Sequence, residues 1–195
     1  VTIVEHDRRD ENSDLVPRIY TIGHSTRSLD ELLALLRASG VKRLADIRRY
    51  PGSRRYPHFS RESLAAELPK NGIAYVHMPE LGGRRAPAKD SPNDALRNAQ
   101  FRGYADYMGT SEFAEAVDRL IELDGPVAIM CAEAVPWRCH RSFVADDLVR
   151  RGVEVVHIVG PNDRRRHELN PLAHDEGGRL VYARRIIAGA HDHPE

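Results

Sequence analysis

The chain has 195 residues, 41% hydrophobic and 30% charged, with 29 basic side chains balanced by 29 acidic ones. That length buries the core of one domain without staples, and no apolar run approaches the roughly 18–20 residues of a membrane span. Balanced charge gives no whole-molecule steering toward a polyanion by itself. The only cysteines, Cys131 and Cys139, lie too close together for a disulfide framework. Val1 to Pro17 shows neither the basic start nor the apolar stretch of a signal peptide, so the cytoplasm is the expected compartment. Lysine occurs only at Lys42, Lys70 and Lys89. Nearly every cation is therefore arginine, whose flat fork suits phosphate or carboxylate, although GC-rich coding gives the same bias.

In chain order, residues 1–17 read as a loose lead-in ending at Pro17. Arg18–Ile22 is a short strand, Gly23–Thr26 a turn, and Ser28-Leu-Asp-Glu31 a capping box opening a helix that Ser39-Gly40 closes. Leu44–Ile47 is a second strand, and the loop Arg48–His58 follows, too rich in proline and glycine for regular structure. Ser60 caps a helix to about Leu68, Asn71-Gly72 turns into a strand over Ile73–Met78, and a polar stretch runs to Asn93. Helix is expected over Ala95–Met108 and Ser111–Leu123. Val127–Cys131 is apolar throughout, as a central parallel strand covered on both faces should be. His140–Arg151 is helical and Val153–Val159 a fifth strand. The rest, including Arg164–Arg166, reads as irregular apart from a small strand near Leu180–Ala183.

Alternating strands and helices predict an α/β fold, one three-layer domain over 18–160 with a mainly parallel five-stranded sheet and helices on both faces. Residues 161–195 are expected to be an irregular extension packed on the domain or trailing from it. The turn at His24, the Arg48–Arg55 loop, the Gly82–Arg85 loop and the Cys131–Arg141 segment all follow strands. They should converge at the carboxyl edge of the sheet, where ligands usually bind.

Thr21-Ile-Gly-His-Ser25, Asp46-Ile-Arg48 with Pro51 and Arg54, Leu81-Gly-Gly83, and Met130-Cys-Ala-Glu133 with Cys139-His-Arg141 occur in that order. Together, over about Tyr20 to Ile158, they resemble a prokaryotic family catalogued as domain of unknown function 488. The resemblance implies DNA base repair, the removal of oxidised or hydroxymethylated pyrimidines such as 5-hydroxymethyluracil.

Read for their own chemistry, these segments leave three functions open. Glu133, one step past a buried strand and near Arg138, Arg141 and Trp137, suits proton transfer. Asp46 ends a neighbouring strand, and two carboxylates at one cleft can divide the work of glycosidic cleavage; each can equally be paired with Arg48 or Arg141. A nucleic-acid hydrolase acting through this pair needs substrate contacts. His24, Ser25, Arg48, Arg54, Arg55, Tyr56, Arg138, His140 and Arg141 are the candidates, since guanidinium groups reach phosphates and aromatic faces accept unstacked bases. Tyr104 and Tyr107 offer a second stacking surface. DNA is then the expected partner, by base flipping. Alternatively, Cys131 is the nucleophile of a sulfur- or phosphoryl-transfer enzyme acting on a small anion, although Arg138 comes later than the arginine of known cysteine cradles, and Glu133 repels a phosphate dianion. A non-catalytic phosphate or nucleic-acid module is the third reading. No cofactor is expected, nor a metal. Cys139 and His140 with Cys131 or His24 would be its donors, but no C-x-x-C pair announces one.

Overall fold

The computed structural model describes residues 17–52 and 54–184; the expected lead-in over residues 1–16 and the tail beyond residue 184 lie outside them. The chain runs β1 (Arg18–Gly23), α1 (Leu29–Ala38), β2 (Arg43–Asp46), α2 (Arg61–Lys70), β3 (Ala74–His77), α3 (Ala99–Met108), α4 (Ser111–Ile121), β4 (Val127–Cys131), α5 (Arg141–Arg150), β5 (Glu154–Gly160), β6 (Asp163–Arg166), β7 (Ala173–Asp175) and β8 (Leu180–Tyr182). The main sheet has the order β3-β2-β4-β1-β5-β6, and β7 and β8 form a separate pair. The first five strands of that sheet are parallel. No helix among the described residues is long and apolar enough to cross a membrane.

Two apolar layers sandwich the sheet. Leu32 and Leu36 of α1 and Leu64 and Leu68 of α2 pack with Phe59 on Leu44, Ala128 and Met130. On the other face Tyr104, Phe113, Val117 and Phe143 of α3 to α5 pack on Ala45, Val127 and Ile129. Strand side chains alternate between faces, so odd-numbered residues of β4 face α5 and even-numbered ones face α1. The helix starts follow local chemistry. Ser28 and Glu31 form the reciprocal cap of α1, with Ser28 N donating to Glu31 Oε2 at 2.7 Å and Glu31 N to Ser28 Oγ at 3.1 Å.

The structure corrects the strand count from five to six. Arg164–Arg166, expected to be irregular, pair antiparallel with Val156–Ile158. Their side chains are exposed, so they carry no apolar alternation, and a charged edge strand of this kind blocks further strand addition. Helix α3 also begins at Ala99 rather than Ala95. Asn98 caps it, its Oδ1 accepting from Gln100 N at 2.8 Å, while the Ala95 N–H is spent on the Tyr182 carbonyl of β8 at 3.2 Å.

A buried polar chain ties the sheet to the C-terminal hairpin. The Thr21 hydroxyl lies 2.7 Å from His157 Nδ1, His157 Nε2 lies 3.0 Å from His167 Nδ1, and His167 Nε2 meets Asp146 Oδ1 at 2.9 Å. The Tyr182 hydroxyl donates to Asp146 Oδ2 at 2.8 Å. Burial, and then His167 and Arg141, push the His157 pKa from 6.5 down to about 3. The unfolded chain therefore takes up this proton first as the pH falls. His157 contributes stability that is complete above about 6.5 and lost progressively toward about 3. Urea midpoints should fall across this window in the wild type, and less steeply in His157→Gln. Parallel pH dependences would show that His157 is not the titrating group.

Candidate functional site

The loops after β1, β2, β3 and β4 meet at the carboxyl edge of the sheet, as the alternating pattern requires. They enclose a cavity of about 290 Å³ lined by Arg49, Gly83, Arg84, Tyr104, Cys131, Cys139 and His140 among others. Beside it is a more open one of about 560 Å³ that includes His24, Ser25 and Tyr56. Arg48, Tyr50, Arg84, Ala132, Glu133 and Arg138 line both, so the two form one arginine-rich cleft. Glu133 and Arg138 are exposed there, and the Tyr50 ring on the rim is 65% exposed. Arg49, Gly83, Arg84 and Gln100 were not among the candidates from sequence. Position after β2 and β3 is the signal that finds all but Gln100, which α3 brings in from a distance.

Asp46 is not a free carboxylate. It pairs in register with Met130 of β4 and shares that residue's face of the sheet, opposite to the face that Cys131 takes. There it is fully buried. Its Oδ1 accepts from Arg48 N at 3.1 Å and Nε at 2.8 Å, and its Oδ2 from Arg48 Nη2 at 2.6 Å and the Tyr75 hydroxyl at 2.9 Å. Burial and the Asp46 charge push the Tyr75 phenol well up, so it remains a donor. Arg48 also reaches the Phe59 carbonyl at 2.8 Å and His24 Nε2 at 3.2 Å. Of the two roles open to Asp46 from sequence, the geometry supports the ion pair with Arg48, under one wall of the cleft.

His24 belongs to the same scaffold. Its ring stacks on Phe59 at 4.4 Å, and Nδ1 lies 3.0 Å from the Ser25 carbonyl. Burial, and then Arg48, lower its pKa to about 4, so at neutral pH it carries no charge for a phosphate. Ser25, at φ 49°, half-faces the open cavity. Arg54 and Arg55 are exposed and outside both cavity walls; Arg55 lies over the Tyr56 ring, 5.4 Å from its centroid. Tyr104 and Tyr107 do not make an open stacking surface. Both are buried, donating to the Leu81 and Glu80 carbonyls at 2.7 Å each.

The cavity floor holds Cys131, Cys139 and His140. Cys131 ends β4, Cys139 follows the 3-10 turn Pro136–Arg138, and His140 leads into α5. The two sulfurs lie 3.8 Å and 3.7 Å from His140 Nδ1, while His140 Nε2 is 3.3 Å from the Ile47 carbonyl. A hydrogen bond from Cys139, set against burial and helped by His140 and the Glu133 N–H, holds Cys131 well below the ordinary thiol range. The same bond pushes Cys139 up.

Close approach of backbone builds this floor. A Cβ on Gly23 would stand 1.8 Å from the Glu133 carbonyl oxygen, and one on Gly83 would stand 2.9 Å from His140 Nδ1. Below the loop Arg141 is 1% exposed. Its Nη2 donates to the Ala134 carbonyl at 3.0 Å, while Nε and Nη1 have no partner among the described residues. It does not line the cleft as a substrate contact. Its charge acts on the two cysteines from beneath.

A model of the family described as Domain of unknown function DUF488 matches residues 28–148. The chain belongs to that family. The DUF488 match takes in Asp46–Arg48, Gly82–Gly83 and Cys131–Arg141, and leaves His24 and Ser25 just before its start. No curated protein and no solved structure matches this DUF488 chain.

Proposed function

We propose that the protein is a hydrolase acting on DNA, releasing a modified pyrimidine by cleaving its N-glycosidic bond, with Glu133 as the carboxylate that handles the proton. The observation carrying this reading is the place of Glu133. It is exposed on the wall common to both cavities, together with Arg84, Arg138 and the open Tyr50 ring. Guanidinium groups on a cleft rim suit backbone phosphates, an open aromatic face suits an unstacked base, and the inner cavity is on the scale of a small-ligand site. A base flipped from the helix would enter past Tyr50 and meet Glu133.

The test is incubation of the purified protein with labelled duplexes that each carry one modified pyrimidine, scoring base release by alkaline strand scission. Release from at least one duplex is expected, with affinity falling as salt rises, as phosphate contacts require. Salt-sensitive binding without release on any duplex would leave a binding module in place of an enzyme.

One observation favours a second reading. The Cys131 sulfur lies in the floor of the same cavity beside His140, where a thiol could attack a small anion held by the arginines. Turnover of such a substrate that survives Glu133→Gln and is lost on alkylation of Cys131 would select it.

A further inference from the structure

We propose that Cys131, Cys139 and His140 bind a soft divalent metal ion, zinc above all, through two thiolates and an imidazole, with the fourth coordination position opening into the cleft. The three donor atoms lie within 4.8 Å of one another, and the two sulfur-to-nitrogen distances are 3.8 Å and 3.7 Å. A tetrahedral zinc centre with bonds of about 2.3 Å to sulfur and about 2.0 Å to nitrogen has sulfur-to-nitrogen edges of about 3.5 Å. Both edges at Nδ1 are therefore already close to their ligated lengths. One imidazole N–H cannot serve two sulfurs well, whereas one metal ion between the three atoms satisfies all of them.

The surroundings point the same way. The Ile47 carbonyl 3.3 Å from His140 Nε2 favours the proton on that nitrogen and leaves the Nδ1 lone pair toward the sulfurs, the usual outer contact of a ligating histidine. The buried Arg141 guanidinium, with two nitrogens lacking an acceptor among the described residues, supplies the counter-charge that two thiolates need. Sulfur donors exclude magnesium and calcium. With only three protein ligands and a cavity above them, the site has the open form of a catalytic zinc centre, in which bound water ionises near neutral pH. That water would share the cavity with Glu133.

The test uses the untagged full chain, reduced, stripped with chelator and titrated with cobalt(II) and zinc(II). One equivalent of cobalt should give the intense visible bands of a tetrahedral ion and thiolate-to-cobalt charge transfer. Zinc should displace it, and X-ray absorption of the wild-type zinc form should show two sulfur neighbours and one imidazole. Cys139→Ser and His140→Ala should each weaken zinc binding by at least about tenfold, with folding checked by circular dichroism. Failure of the reduced chain to take up a stoichiometric ion, a six-coordinate cobalt spectrum, or an absorption spectrum without sulfur would overturn the proposal. No substrate is present, so this result stands apart from the presence or absence of base release.

Discussion

Glu133→Gln is expected to lower base release by about 10²- to 10⁴-fold, the range that a positioned acid or base supplies, with DNA affinity held or improved. The side chain is exposed, and a surface substitution of this kind usually changes stability by no more than about 0.5 kcal/mol. Removing a negative charge from a wall that also carries Arg84 and Arg138 strengthens the pull on phosphate while taking away the proton carrier. Single-turnover base release and filter binding, measured side by side with the urea midpoint, check the three parts together. A variant that releases base at the wild-type rate removes Glu133 from the chemistry.

The second large effect falls on the fold. Asp46→Ala leaves the Arg48 guanidinium, 7% exposed, with no anion beside it, and breaking one partner out of a buried ion pair costs about 3–5 kcal/mol. Against a typical total of about 5–15 kcal/mol this brings the protein near its limit, and urea unfolding should show an earlier midpoint with an unchanged slope. Asp46→Asn keeps the shape and one acceptor, so it should be milder. A folded Asp46→Asn protein should lose far less base release than Glu133→Gln. Equal losses in the two, with stability intact in Asp46→Asn, would return Asp46 to the chemistry and sink its structural assignment.

The two carboxylates show where sequence reasoning holds and where it stops. Both stand at strand ends, and strand ends are legible from apolar runs and turn residues. Register is not, because hydrogen-bond pairing between β2 and β4 has no local signature. The pairing sets Asp46 opposite Met130, on the other face of the sheet from Cys131. The same limit left open whether Cys131 or His24 joins Cys139 and His140 on the cavity floor. Cys131 and Cys139–His140 are separated by a loop that sequence alone leaves unshaped. The turn at Pro136–Arg138 and the cap at His140 fold it back so that both sulfurs face one nitrogen. Arg141 misled for a related reason. A guanidinium after a strand reads as a phosphate contact, yet its side chain turns beneath the loop, where it is buried beside Gly23.

By itself the sequence determined the α/β class, the order of strands and helices from β1 to β5 down to the cap at Ser28, and the edge of the sheet where the loops converge. Apolar periodicity, capping residues and turn residues act over a few neighbours and leave their mark in any single stretch of chain. Only the tertiary structure decided that six strands pair rather than five, that Asp46 and His24 brace Arg48, and that two cysteines and a histidine share one point. Those outcomes depend on which face of a strand a residue takes and on which distant backbone lies opposite it, and the chain acquires both only when the sheet closes.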